Sequence, residues 1–90
     1  MDTEKIIKLS KHAERQIIER NLNLKEVKET VINPDQVIDS KKGRKIAQKI
    51  YKKEGKEFLL RVIYVKEGDN MKIITVYRTS KIDKYWRKTE

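Results

Sequence analysis

Cysteine is absent from this 90-residue chain, and histidine occurs once, as His12. The first absence excludes disulfides and thiolate metal sites. The second argues against a zinc site built from protein side chains. There is no long apolar run near the N-terminus, so neither a signal peptide nor a membrane span is expected, and the cytoplasm is the expected compartment. No repeat, linker or low-complexity tract divides the sequence, which reads as one domain over residues 1–90 with a single modest core.

Positive charge is what the chain has in excess. Lys and Arg number 23 against 14 Asp and Glu, a net charge of +9. Charged residues make up 41% of the chain, but its hydrophobic 37% falls into periodic segments, which argues against disorder. Counterion release favours the binding of such a chain to phosphate backbones, in a salt-dependent way. An acidic protein partner fits the same charge, and it can mask an RNA-binding face. A thermophile-type surface of Lys and Glu pairs explains many charges but predicts a closer balance of signs.

The pattern along the chain changes from helical to extended. Ile6 to Leu9 is a short apolar stretch suited to an edge strand. Ser10 is placed to cap a first helix running to about Arg20, with Ala13, Ile17 and Ile18 as its apolar side. Asn23 with Glu26 three residues on has the form of a capping box, and Leu22 with Val27 that of a hydrophobic staple. Leu24, Val27, Val31 and Ile32 then predict a core-facing stripe on a second helix, which Asn33-Pro34 ends. Gln36 to Asp39 is a weak strand, followed by the basic turn Lys41 to Lys45. Ile46 to Lys52 alternates, with Ile46, Gln48 and Ile50 on one face and Ala47, Lys49 and Tyr51 on the other. Phe58 to Val65 is nearly continuous apolar sequence, as in a central strand covered on both sides. Turns at Glu54-Gly55-Lys56 and Gly68-Asp69-Asn70 frame it, Met71 to Tyr77 is a further strand, and the tail from Ser80 forms a short helix packing Ile82, Tyr85 and Trp86. The fold class is therefore α+β, with two N-terminal helices on a four-stranded antiparallel sheet and a short C-terminal helix.

Three groups of residues carry candidate chemistry. On the first helix, His12, Arg15, Gln16 and Glu19 share an arc away from Ala13 and Ile17, bringing together an imidazole that titrates near neutrality, a phosphate-binding guanidinium and a carboxylate. The plainer reading of this arc is a solvated face with an Arg15–Glu19 pair. Arg61 sits inside an apolar strand, where a charge either pairs with a helix carboxylate or reaches a solvated cleft. One register of the last hairpin sets Arg61 opposite Thr75 with Tyr77 on the same face. The third group is basic and aromatic: Arg44, Lys45, Lys49, Tyr51, Tyr77 and Arg78, then Tyr85, Trp86 and Arg87. Cations track phosphates while rings stack on unpaired bases, which points to RNA.

Ser10-Lys11-His12-Ala13, Arg15 and Arg20, together with Thr75-Val76-Tyr77-Arg78, resemble the family called domain of unknown function 4258, over roughly Leu9 to Arg78. That family is thought to be related to the RelE/ParE toxin fold, whose members include metal-independent ribonucleases held by an antitoxin and gyrase poisons without nuclease activity. The resemblance implies an endoribonuclease of a type II toxin–antitoxin system that needs no cofactor and no metal. In such an enzyme a base takes the 2′-OH proton and an acid protonates the 5′-oxygen. On this chain it implies His12 as acid or base and Arg61 as phosphate clamp. Arg15, Lys49 and Arg78 would bind substrate phosphates, with Tyr51 or Tyr77 stacking or shuttling a proton; Arg44 joins them as a nucleic-acid contact on charge alone. A non-catalytic nucleic-acid-binding module and a protein-interaction domain are the competing readings.

Overall fold

A computed structural model describes residues 6–87. In chain order these form β1 (Ile7–Leu9), α1 (Lys11–Glu19), α2 (Leu24–Ile32), β2 (Gln36–Asp39), a 3-10 turn (Lys41–Gly43), β3 (Lys45–Lys53), β4 (Lys56–Glu67), β5 (Asn70–Thr79) and the one-turn α3 (Ile82–Tyr85). The two long helices, α1 and α2, are each started by a residue whose side chain satisfies otherwise free backbone N–H groups. Ser10 Oγ accepts from the Ala13 N–H at 3.0 Å and donates to the Ile74 carbonyl at 3.0 Å, so the cap also straps α1 to β5. Asn23 Oδ1 accepts from Lys25 and Glu26 at 2.8 and 3.3 Å. The other half of the expected capping box is diverted: the Glu26 carboxylate lies 3.3 Å from Lys53 on β3.

The stripe of α2 differs from the expected one. Val27 and Val31 are buried, but Leu24 and Ile32 are 42% and 64% exposed, and Thr30 takes a core position. Thr30 lies next to Val27 and Val31 on the helical arc, and its hydroxyl donates to the Glu26 carbonyl at 2.7 Å, which lets a polar residue be buried there. Apolar character alone misplaced this face.

The sheet has five strands in the order β1-β5-β4-β3-β2, not four, and it is mixed rather than antiparallel. β2 to β5 pair antiparallel; β1 adds to β5 in parallel, Ile7 opposite Met71 and Leu9 opposite Ile73. The edge strand at Ile6 to Leu9 was legible as an extended stretch, but its partner lies more than sixty residues away, and no local pattern specifies that pairing or its direction.

Both long hairpins turn on two residues. Glu54 and Gly55 both have positive φ (51° and 79°), as a type I′ turn requires; at the second turn Gly68 (φ 66°) carries it. From Glu67–Asn70 the β4–β5 ladder runs in step to Tyr64–Ile73, and then Ile63 meets Thr75. Ile74 is therefore an extra residue, a bulge, and its carbonyl is the one that Ser10 strands to. Beyond the bulge Arg61 stands opposite Tyr77, not Thr75. The difference from the expected register is two residues, so Arg61 and Tyr77 still share a face; without the bulge Arg61 would face Val76.

Alternation along β4 separates two sides. Leu60, Val62 and Tyr64 join Ala13, Val27, Val31, Ala47, Met71, Ile73 and Val76 in the core under α1 and α2. Leu59, Arg61 and Ile63 point the other way, toward α3 and the residues after it. No helix among the described residues is long and apolar enough to cross a membrane.

Candidate nucleic-acid site on the second sheet face

A row of polar side chains crosses four strands on the face away from α1 and α2. Gln36 is opposite Gln48, Gln48 opposite Arg61, and Arg61 opposite Tyr77. Gln48 is fully buried and Arg61 only 8% exposed. Gln48 Nε2 donates to Gln36 Oε1 at 3.0 Å, and the same oxygen accepts from the Arg87 backbone N–H at 3.0 Å. Gln36 Nε2 in turn donates to the Arg87 carbonyl. Arg61 Nη1 donates to the Tyr77 hydroxyl. Its guanidinium carbon lies 4.3 Å from the centre of the Tyr85 ring and 5.4 Å from that of Tyr77, and the two rings meet edge to face at 6.2 Å.

Arg61 is thus a buried cation held by rings and a hydroxyl. The ion pairs among the described residues are Lys45–Asp39, Lys49–Asp35 and Lys53–Glu26, and none involves Arg61. Of the two readings open from the sequence, pairing with a helix carboxylate is not seen, because the strand turns this side chain away from both long helices. Cation–π contact with a desolvated ring is worth about 2 kcal/mol, whereas removing a charge from water costs several. The remainder is a cost to stability. Two buried polar atoms here have no hydrogen-bond partner among the described residues, Arg61 Nε and Gln48 Oε1, a donor and an acceptor on adjacent strands.

Other residues singled out from the sequence lie elsewhere. His12 is exposed on α1, the helix that packs against the Val76 side of the sheet, so the sheet separates it from Arg61 and Tyr77. Arg15 is also exposed on α1, beside a surface depression of about 440 Å³ shared with Lys11, Glu14, Ile18 and Glu19. No ion pair joins it to Glu19 among the described residues. Gln16, expected on the same solvated arc, turns inward, where its Oε1 accepts from the Val76 N–H at 2.8 Å, next to where β1 ends. Lys49 donates to the Asn33 carbonyl at 2.9 Å and lies 3.7 Å from Asp35, bracing the exit of α2. Tyr51 donates to Glu29 at 2.7 Å and stacks on Phe58, and burial pushes its hydroxyl up to about 12. Arg78 is exposed with its guanidinium 5.3 Å from the Phe58 ring, and Arg44 is exposed after the 3-10 turn.

Of the expected residues, the fold brings together Arg61 and Tyr77. Gln36, Gln48 and the backbone of Arg87 join them, as does Tyr85, which the sequence placed in a basic and aromatic surface rather than at a site. Gln48 did carry a signal: a polar residue between Ile46 and Ile50 on one face of a strand.

Fold and site together define a small basic α+β domain with a mixed five-stranded sheet and a buried arginine ringed by tyrosines. The chain belongs to the family described as Domain of unknown function (DUF4258), which matches residues 9–78. No curated protein and no solved structure matches it. The matched span includes Ser10 and Ala13, whose roles are to cap and seat α1, and the row from Gln36 to Tyr77; α3 and Tyr85 lie beyond it.

Proposed function

We propose that this chain is a toxin-like RNA-binding domain, related to the RelE/ParE superfamily, that works in the cytoplasm as a metal-independent endoribonuclease of a type II toxin–antitoxin system. The observation that carries the reading is Arg61, a buried cation with no carboxylate partner among the described residues, in a chain of net charge +9. A phosphodiester supplies the missing negative charge, and a guanidinium is the side chain best shaped to hold it through two oxygens. In cleavage the RNA 2′-oxygen gives its proton to solvent water and bonds to phosphorus. The bond to the 5′-oxygen breaks, and that oxygen takes up a proton, leaving a 2′,3′-cyclic phosphate. Arg61 stabilises the charge that grows on the non-bridging oxygens, and the Tyr77 hydroxyl, already bonded to Arg61, is the nearest proton donor to the leaving group. An acidic antitoxin would cover the basic surface.

One observation favours a second reading, a non-catalytic RNA-binding module. The polar and aromatic side chains in the row with Arg61 are Gln36, Gln48, Tyr77 and Tyr85. Among the described residues none of this row is an imidazole or a carboxylate that could act as base, and His12 is on the far side of the sheet. Incubation of single-stranded RNA in EDTA with wild type, His12→Ala and Arg61→Ala separates the readings. Cleavage by wild type and His12→Ala but not by Arg61→Ala supports the enzyme at this site. Salt-sensitive binding without turnover, lost in Arg61→Ala, gives the binding module. Cleavage that persists in Arg61→Ala removes the site assignment. Failure to bind RNA at low salt, with retention of an acidic protein, gives a protein-interaction domain.

A further inference from the structure

We propose that the C-terminal segment Ile82–Arg87 is a strap that keeps the Arg61 site closed, with the ring of Tyr85 occupying the place that an unstacked nucleobase takes when RNA binds. This rests on the RNA reading of the same site and adds its regulation.

The geometry at Tyr85 is that of a bound base. Its ring lies over the Arg61 guanidinium at 4.3 Å and meets Tyr77 edge to face, the arrangement by which unpaired bases stack on arginine planes and aromatic side chains. The closed strap supplies a partner to neither Arg61 Nε nor Gln48 Oε1, which lie on adjacent strands of this face and have none among the described residues.

The strap is held as something that lifts. None of the residues of α3 is buried. The Trp86 N–H bonds within the segment, to the Ile82 carbonyl at 2.8 Å, and the outer clasp is the two-point contact between the Arg87 backbone and the Gln36 amide. At the near end Lys81 N–H donates to Thr79 Oγ1 at 3.0 Å, which leaves a short turn as the hinge. The core on the opposite face is built without any residue of the strap, so lifting it leaves that core intact. Elements of this kind open well below the free energy of global unfolding.

Charge sets the direction of the switch. The strap closes over a cation without neutralising it: its one acid, Asp83, makes no ion pair with Arg61, and Lys84 places a second cation, an ammonium, 5.4 Å from the Tyr85 ring. An incoming phosphate therefore competes with a cover that offers Arg61 no counter-charge. Once released, Lys81, Lys84 and Arg87 become free to follow the backbone.

The test is fluorescence anisotropy of a labelled, unstructured single-stranded RNA of about ten nucleotides, titrated with the full chain as wild type, Tyr85→Ala, Gln36→Ala and each of these combined with Arg61→Ala. Tyr85→Ala empties the seat; Gln36→Ala cuts the clasp and leaves the ring, which guards against a fold defect in the first variant. Each is expected to tighten binding about tenfold, and both gains are expected to vanish in the Arg61→Ala background. Amide exchange at Trp86 and Arg87 is expected to quicken when the RNA is added to wild type. If both variants bind as wild type does, or more weakly, while Arg61→Ala alone loses binding, the strap is overturned and the RNA site stands. If Arg61→Ala binds RNA as well as wild type, the site reading falls and the strap falls with it.

Discussion

Leu60 and Arg61 are neighbours on β4 and both are more than nine-tenths buried, but different surroundings bury them. Leu60 faces α1 and α2 and touches a continuous apolar cluster in which every neighbour gains from exclusion of water. Arg61 faces a polar row, two tyrosine rings and a four-residue helix, and leaves one of its own N–H groups unpaired. One face of the sheet is thus organised for stability, and the other holds a charge and two unmet hydrogen bonds at a cost to stability. A small domain has few kcal/mol to lose. A face that gives up some of its stability this way is the face to assign to function.

The contrast predicts opposite outcomes for two adjacent substitutions. Leu60→Ala removes packed methyl groups from a site that cannot collapse and is expected to lower unfolding free energy by about 2–5 kcal/mol. Arg61→Leu replaces an unpaired cation by a side chain that needs no partner, and is expected to leave stability within about 1 kcal/mol of wild type or to raise it. Urea denaturation of both variants checks this directly. An equal loss in the two would mean that Arg61 is a structural element like its neighbour, and the two faces would no longer differ in kind.

Binding sharpens the same comparison by a second measurement. Arg61→Leu is expected to weaken RNA binding by about tenfold or more and to flatten its dependence on salt by about one unit of slope, as removal of one phosphate contact does. Lys49→Ala and Arg78→Ala, on the helix-covered side, are expected to change affinity by much less. Titrations between low and moderate salt distinguish them; a loss at Lys49 as large as that at Arg61 would move the RNA to the other face.

A smaller effect attaches to the strap between α1 and the bulge. Ser10→Ala removes an N-cap together with the bond to the Ile74 carbonyl, and is expected to cost about 1–2 kcal/mol by thermal or urea melting. The α1 amides would lose exchange protection first, while Arg61 keeps its surroundings.

Much of the first face was legible because its signals are local. The caps at Ser10 and Asn23, the alternation around Ala47 and the apolar run through Leu60 each lie within a few residues and follow from helix or strand period. The parallel pairing of Ile7–Leu9 with Met71–Ile73, and with it the fifth strand, rests on long-range hydrogen bonds that no window of sequence contains. The bulge at Ile74 is equally silent, since one inserted residue leaves the composition of the strand unchanged while shifting every pair beyond it. Arg61 and Tyr77 were found together because a two-residue error in register preserves faces. His12 was misjoined to them because a helical arc says which residues share a side of the helix, not which side of the sheet the helix covers. Gln36 went unread, and Gln48 was read only as part of an alternating face, because a glutamine on a strand has no charge to draw attention and its role depends on what the tail brings over it.

The smallest expected effect concerns alkaline pH and again divides the faces. Tyr51 is half-buried at the edge of the helix-covered side with its hydroxyl donating to Glu29, and this partial burial pushes its pKa up to about 12 from an ordinary value of 10.0. Below pH 10 the tyrosine is neutral in both folded and unfolded chains, so its contribution is fully present. Above pH 10 the unfolded chain ionises first, and stability falls until the folded pKa is passed near 12. Tyr51→Phe lacks this proton and is expected to lose less stability than wild type between pH 10 and pH 12, after a modest loss at neutral pH from the missing hydrogen bond. Melting temperatures measured across that window decide the point. An unchanged slope in Tyr51→Phe would mean that other groups, Tyr64 and the lysines among them, set the alkaline loss of stability.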